Sequence, residues 1–534
     1  MKNFLKVFPF LLVFVLVFAL QVRLDVGARH LPYLEPFGRE TMIGPSTANR
    51  PPQVLPDNRI AYLAKPDIVI AGIDPAGQQV STERRPAPAD DLFASTQFRL
   101  SGDEIYWIGN KRVLKRATWQ NGAWSTAEEL GPSASGLGLA ESGEQRYLLA
   151  GFEGELKIWK IEPGRVIPVR NYPMKKPVYL DASVDGQGVF HIGAVNQLSS
   201  DSYEFYNLTL DTATGTPSDA TMIKALNLDS SSMIDDMNYG IDRTHGYLLM
   251  TIKTGRSNNR DVRVWNFPLQ EPTAGKMFSL AGEVGMSGGF TIYGEPGQQE
   301  TLGVVFAADY QKNPRVGNRE IFMGHFKGGE WQGDAVRISN TQKPTANPVF
   351  VRQGDVTTVV FTVFTSFDEY TLHYNSDSPS YAAATNVLTG DDYAFSAMQV
   401  PQYLGMMAVL FVLVMAWPVL AYVYLIWYLI KNEDALYDQP NRHFVIAFVL
   451  YLLVQVAVFL NYGKFDQIAL YGPEWMLSPV WFSLLIIGMG VLSWGFAYLF
   501  GRIRYERHAL AEFNYFFGLN TWMVTLALSY FMAA

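Results

Sequence analysis

Four apolar runs separated by short polar breaks fill residues 403–534, and no other feature of the 534-residue chain limits its fold as much. They are Tyr403 to Ile430, Phe444 to Leu460, Pro479 to Phe500 and Phe513 to Ala534. A hydrocarbon core about 30 Å thick is crossed by roughly 17 to 25 apolar helical residues. Each run therefore predicts a membrane-spanning helix, the first with length to spare for tilt. One such run read alone fits a buried soluble helix, but four in succession with almost no charge do not. Tyr403, Trp427, Tyr428, Trp481 and Tyr498 fall near the predicted ends, where amphipathic rings suit the headgroup layer.

Residues 1–24 add a fifth apolar segment. Lys2 and Lys6 precede Val7 to Leu20, a Phe, Leu and Val run interrupted by Pro9, which is the charged-then-apolar layout of a signal sequence. Ala19 is followed by Leu20, Gln21, Val22 and Arg23 without a small-residue cleavage pattern, so the reading is a signal anchor, with a cleaved signal peptide as the alternative. Lysines and arginines in short loops set orientation. Arg502, Arg504 and Arg507 lie between the third and fourth runs, against Lys464 between the second and third. Putting the arginine loop in the cytoplasm brings Lys431 and Arg442 there as well, and Lys2 and Lys6 demand the same arrangement. The expected topology is a cytoplasmic N-terminus, residues of about 25–402 outside, four further crossings and an extracytoplasmic C-terminus. The cysteine-free, signal-anchored design suggests the bacterial cytoplasmic membrane.

Absence of cysteine excludes disulfides and thiolate metal sites. The exported part carries 34 basic and 43 acidic residues, a net of −9. That field repels nucleic acid, which rewards clustered Lys and Arg, so no nucleic-acid partner is expected. The predicted inside loops, Lys431 to His443 and Gly501 to Glu512, are too short for a catalytic domain. An outside signal would have to pass through helices to another protein.

Residues 25–56 are rich in Pro, Arg and Gly and read as a linker or strap. From 57 to 395 short β-rich runs alternate with Gly, Asp, Asn and Pro turns, among them Ile68–Ala71, Glu104–Ile108, Tyr147–Ala150 and Thr357–Phe364. The domain is expected to be all-β. Apolar residues that lead into turns recur at Ile73, Trp119, Ile161, Leu210, Phe267, Phe326 and Tyr374. Their spacings of 46, 42, 49, 57, 59 and 48 residues match a four-stranded propeller blade, for which roughly 40 to 50 residues are usual. Seven anchors predict a β-propeller of about seven blades, six or eight if the end units combine differently. A pair of β-sandwiches would share the strand content but not the period.

Ser183-Val-Asp185-Gly-Gln-Gly188-Val-Phe190 resembles the Asp-box turn of sialidase-type propellers, Ser-x-Asp-x-Gly-x-Thr-Trp. Serine, aspartate and the closing aromatic match; the glycine is displaced by one and the threonine is missing. The resemblance covers eight residues and implies a structural hairpin away from any active site.

Signals for chemistry are sparse. The seven histidines, His30, His191, His245, His325, His373, His443 and His508, form no HxH, HExxH or HxxxH pair. Asp235 and Asp236, with Asp229 and Asp242, make the densest acidic group in the exported part. They are candidate oxygen ligands for a hard cation such as calcium, against the plainer reading of a polar loop. No cofactor motif is present. The four C-terminal runs hold no ionisable residue, and Gln455, Ser483, Ser493, Asn514, Asn520 and Thr521 read as helix-packing groups beside Gly488, Gly490 and Gly495. The chain is thus expected to be a binding, scaffold or sensor subunit with an integral-membrane partner and an envelope glycan or protein ligand. A carbohydrate-active hydrolase or lyase and an accessory transporter or channel subunit are the alternatives.

Overall fold

The computed structural model describes the chain except residues 1, 32, 48–50, 75, 77–78, 96, 256–258, 281–286, 295–299, 314–315, 342, 367–368, 463–477, 504–505 and 533–534. The loop lysine Lys464 and the loop arginine Arg504 lie outside the described residues. The chain divides into two compact units: Tyr33–Gln311 with Gly317–Val387, and Met1–Pro32, Lys312–Val316 and Leu388–Ala534.

The first unit is a seven-bladed β-propeller. Seven separate antiparallel sheets follow one another along the chain, their strands hydrogen-bonded in sequence order except where a short extra strand branches off in blade two and where blade seven adds the first strand of the unit. The first strands of the blades are Gln53–Val54, Phe98–Ser101, Ala134–Ser142, Pro177–Val184, Met233–Ile241, Ser287–Gly294 and Thr345–Gln353. From blade three to blade seven the first strands of successive blades pack on one another, which makes them the innermost. In blade two the short strand Ala123–Trp124 folds back on the third strand.

Blade seven takes its fourth strand from the start of the unit. Thr41–Ser46 pairs antiparallel with Glu369–Ser376, so residues before blade one close the ring and leave no unpaired seam. These residues fall inside the segment 25–56 read as a linker, and Gln53–Val54 of blade one does too. Six residues interrupted by Gly44 and Pro45 carry too little alternation to signal a strand. Tyr381 secures the closure, its hydroxyl lying on the Arg39 carbonyl and 2.9 Å from Thr41 Oγ1.

The seven apolar anchors all lie within two residues of the end of a third strand: Asp67–Ile73, Leu114–Gln120, Gly154–Glu162, Ser202–Asp211, Asn259–Pro268, Val316–Lys327 and Glu369–Ser376. The sequence period is therefore the turn after the third strand, a hairpin in blades one to six and the turn into the helix Pro379–Thr385 in blade seven. The apolar core of the unit divides into seven clusters, one between each pair of neighbouring blades. Middle strands are covered on both faces, so Ile60–Ala64 and Glu104–Ile108 are buried at every position instead of alternating. Close approach of first strands fixes Gly138, where a Cβ would collide with the Leu180 carbonyl.

The second unit is helical: α1 (Lys2–His30), α2 (Gly390–Val414), α3 (Val419–Lys431), α4 (Pro440–Tyr462), α5 (Pro479–Ile503) and α6 (Ala509–Met532). Among the described residues, helix over Lys6–His30, Pro440–Asn461 and Pro479–Ile503 is long and apolar enough to cross a membrane. The first C-terminal run is two helices where one was expected. Pro418 has no N–H to give the Val414 carbonyl, and Trp417 N takes that carbonyl at 3.0 Å through a turn at 415–418. α2 also begins earlier than expected, at a capping box in which Thr389 N donates to Asp392 Oδ2 at 2.8 Å.

α6 packs against α1, α2, α4 and α5 and is buried along most of its length. α5 is one-sided: Phe482, Ile486, Gly490, Ser493, Ala497 and Gly501 are buried, while Trp481, Leu484, Val491, Leu492 and Leu499 are exposed. An apolar face left open at helical spacing is what lipid covers. Of the glycines read as packing surfaces, Gly490 meets Leu452, whereas Gly488 and Gly495 face open space.

Candidate functional site

The propeller axis carries the site. Its wall is stitched by side-chain amides, because the two-residue first strand of blade one is too short to pair along its neighbour. Gln53 supplies the missing bonds, donating to Leu100 O at 2.8 Å and accepting from Leu100 N at 2.7 Å. Gln97 repeats the device, accepting from Leu137 N and donating to Val178 O.

Within that wall stand three charged groups on innermost strands. Asp181 sits in Pro177–Val184 of blade four and Asp236 in Met233–Ile241 of blade five. Arg99, in Phe98–Ser101 of blade two, acts on both from across the ring. Asp181 Oδ2 accepts the Tyr239 N–H at 2.9 Å and its Oδ1 the Ala182 N–H at 3.0 Å. Asp236 accepts the Met237 N–H at 2.9 Å. Burial pushes Asp181 above its ordinary value, against the Tyr239 N–H, Arg99 and the Ala182 N–H. Asp236 is pushed up to about 7 by burial, with Asp235 and Asp181 adding to the rise and the Met237 N–H and Arg99 opposing it. Near neutral pH Asp236 is thus poised between a proton donor and an anion. Tyr179 borders the pair, its hydroxyl donating to Ile234 O at 2.9 Å.

Asp235 and Asp236, the candidate cation ligands, are neighbours on one strand, but Asp235 is the extra residue of a bulge between Ile234 and Asp236. Asp235 pairs with Arg260 at 2.7 Å, and Asp236 joins Asp181. Asp242 ends the same strand region, about 20 Å further along at the usual rise per residue. Asp242 is structural: it accepts Thr244 N, His245 N and Gly328 N at 2.7 Å and the Tyr247 hydroxyl at 2.5 Å. Against burial, those bonds hold it below the usual carboxylate range. It ties the blade-five turn to the blade-six turn, as Glu104 ties blade two to Gly164 of blade three. Among the described residues no three His, Asp or Glu side chains converge as a metal site.

The Asp-box-like stretch is the turn between the first two strands of blade four. Asp185 Oδ1 accepts Gln187 N at 2.8 Å and Val189 N at 2.9 Å, and its Oδ2 lies 3.2 Å from His191 Nε2. Beside it is a depression of about 750 Å³ lined by Asp185, His191, Asp242, His245, Leu269 and Glu300. Sequence reasoning singled out neither Asp181 nor Arg99. They are isolated in sequence, and the signal that would have found them is a charge at an inward position of a blade's first strand.

The class these observations define is a seven-bladed propeller on a chain that also carries apolar, membrane-length helices. No family model and no curated protein matches the chain. Solved structures it resembles include the WD40 domain of SCAP from fission yeast, at 13% identity and a TM-score of 0.35 over 52% of this chain and 62% of that one. The Neurospora crassa Pan2 WD40 domain is similar at 11% identity and a TM-score of 0.36 over 64% of this chain and 89% of that one. An ulvan lyase, described as a new family of polysaccharide lyase, gives 10% and 0.39 over 62% and 95%. The chain spans less than two thirds of the fission-yeast domain. Likenesses at this level assign it no ligand; the fold rests on its own strand order.

Proposed function

We propose that this chain is a multi-pass protein of a bacterial cytoplasmic membrane whose exported propeller binds an envelope glycan or protein at its axis, as the binding or sensor subunit of a membrane complex. The observation that carries the reading is the pair Asp181 and Asp236 with Arg99. Burial without saturating donors raises both carboxyls, an arrangement that costs stability and that proteins retain for binding or chemistry. Orientation follows the loop charges, with the N-terminus and the Arg502 and Arg507 loop inside and the propeller outside. α1 is proposed to stay attached, because Gln21 Nε2 donates to Leu526 O at 2.5 Å and Asp25 and Arg29 both bond Tyr403.

Binding is tested with the full chain in mild detergent on glycan and peptide arrays, together with co-purification. A ligand whose capture falls at least tenfold in Arg99→Ala and Asp236→Asn supports the reading; a strictly monomeric chain without ligand overturns it. Topology is tested on the same cysteine-free background, where single cysteines at Gln270 and Tyr437 are exposed to an impermeant maleimide on intact cells. Labelling at 270 and protection at 437 is the expected pattern.

A second reading, a carbohydrate-active hydrolase or lyase, is favoured by Asp236 itself. A carboxyl near 7 is matched to general-acid work on a glycosidic oxygen. Product release from envelope oligosaccharide that disappears in Asp236→Asn, with binding retained, would establish catalysis over binding alone.

A further inference from the structure

The helical unit holds a buried polar group that packing alone does not satisfy. At mid-length of α6, Asn520 Oδ1 accepts the Tyr451 hydroxyl at 2.8 Å and Gln455 Nε2 at 3.0 Å, both from α4. All three residues are 0% exposed. Yet among the described residues Gln455 Oε1 and Asn520 Nδ2 have no hydrogen-bond partner, and neither does the indole nitrogen of Trp417. Trp417 is 3% exposed and sits in the turn between α2 and α3, its ring 6.4 Å from that of Tyr451. Tyr451 thus links the two: its hydroxyl bonds Asn520, and its ring meets Trp417 of the broken α2–α3 helix edge-on. Buried amides left without partners are costly, and the usual remedy is an internal water making two to four bonds.

The chemistry of the atoms selects the ligand. Exchanging nitrogen and oxygen on both amides preserves the Tyr451, Gln455 and Asn520 bonds, and in either assignment one amide N–H and one carbonyl face outward. A cation would meet a donor hydrogen in both cases, and an anion would meet a carbonyl. We propose that Gln455, Asn520 and Trp417 form a sealed binding site for a small neutral donor–acceptor ligand, water, enclosed among α4, α6 and the α2–α3 turn. This inference stands apart from the propeller site and from any role assigned to it.

Synchrotron hydroxyl-radical labelling of the full chain in detergent tests it, because radicals made from an internal water modify side chains that bulk solvent cannot reach. Tyr451 is expected to be labelled. Tyr106, equally enclosed in the propeller with its hydroxyl on Glu104, is the internal control and should be labelled at least fivefold less. Gln455→Leu with Asn520→Leu should bring Tyr451 down to the Tyr106 level. Thermal unfolding in sodium, potassium and choline chloride at equal ionic strength should give the same Tm. Tyr451 as protected as Tyr106 in the wild type, or a Tm that rises specifically with sodium, overturns the proposal.

Discussion

The propeller and the helical unit both bury polar side chains, and they keep them in different ways. In the propeller, buried acids fall into two kinds. Asp242 has its oxygens saturated by backbone N–H groups and a tyrosine, and is held anionic. Glu320 is buried and Asp181 and Asp236 are half-buried at the axis, each with few donors, and all three are pushed toward the neutral acid. In the helical unit buried carboxylates stand in matched pairs, Asp25 with Arg29 at 2.7 Å and Glu512 with Arg507 at 2.7 Å, while its middle uses uncharged amides. Burial alone does not mark a functional group; the donor supply around it does.

That comparison breaks most visibly at the matched pairs. Asp25→Ala removes the acid that pairs with Arg29, whose side chain is 9% exposed, and breaking a buried pair costs up to about 3–5 kcal/mol. Thermal unfolding in detergent should show that loss, and Asp25→Ala combined with Arg29→Met should recover most of it. If the single and double variants unfold alike, the pair does not hold α1.

Next in size is the saturated acid. Asp242→Asn replaces a charge-assisted acceptor of several N–H groups by an amide that clashes with one of them, for an expected loss of about 1.5–3 kcal/mol. The undersupplied acids respond in the opposite sense. Glu320 is 2% exposed, bonded to Ser339 Oγ at 2.5 Å, and pushed up to about 8 by burial, with Glu40 adding to the rise and Ser339, Arg337 and the Thr341 N–H opposing it. Its ordinary value is 4.5, so the folded chain holds a proton that the unfolded chain has lost. Stability contributed this way is complete below 4.5 and declines as pH rises toward 8. Glu320→Gln should flatten that decline and unfold at a higher temperature than the wild type at pH 8, by a smaller margin than the Asp242 loss. A steeper decline in the variant would show that Glu320 works as an anion.

Much of this architecture was readable in the residues. The recurring anchors from Ile73 to Tyr374 marked the third strand of every blade, because turn residues follow it, as a hairpin in blades one to six, and the strand before it is buried on both faces. Blade closure by Thr41–Ser46 was hidden, since a short edge strand with Gly44 and Pro45 looks like linker and its partner lies more than 300 residues away. Pro418 was visible inside the run from Tyr403 to Ile430, but hydropathy outweighed it. At the axis, Asp235 and Asp236 stood out as a pair although one faces Arg260 and the other the axis. Asp181 and Arg99 passed unnoticed because a charge on a first strand has no local sequence signature; only the ring brings them together. Gln455 and Asn520 were visible as membrane polar groups, and their mutual bond is the packing role expected of them.

The central claim is that the fold does not need Asp236 as an anion, on which the ligand role proposed above depends, and thermal unfolding tests it without any ligand in hand. Asp236 has an ordinary value of 3.8 and a folded value of about 7, from burial first and from Asp235 and Asp181 next. Stability from its proton is therefore complete below 3.8 and is lost as pH rises through 7. At pH 8 the account predicts that Asp236→Asn unfolds at a temperature equal to or above the wild type, with a flatter dependence between pH 4 and 7. A variant that unfolds several degrees lower at pH 8 would contradict it, and would make Asp236 a structural anion like Asp242.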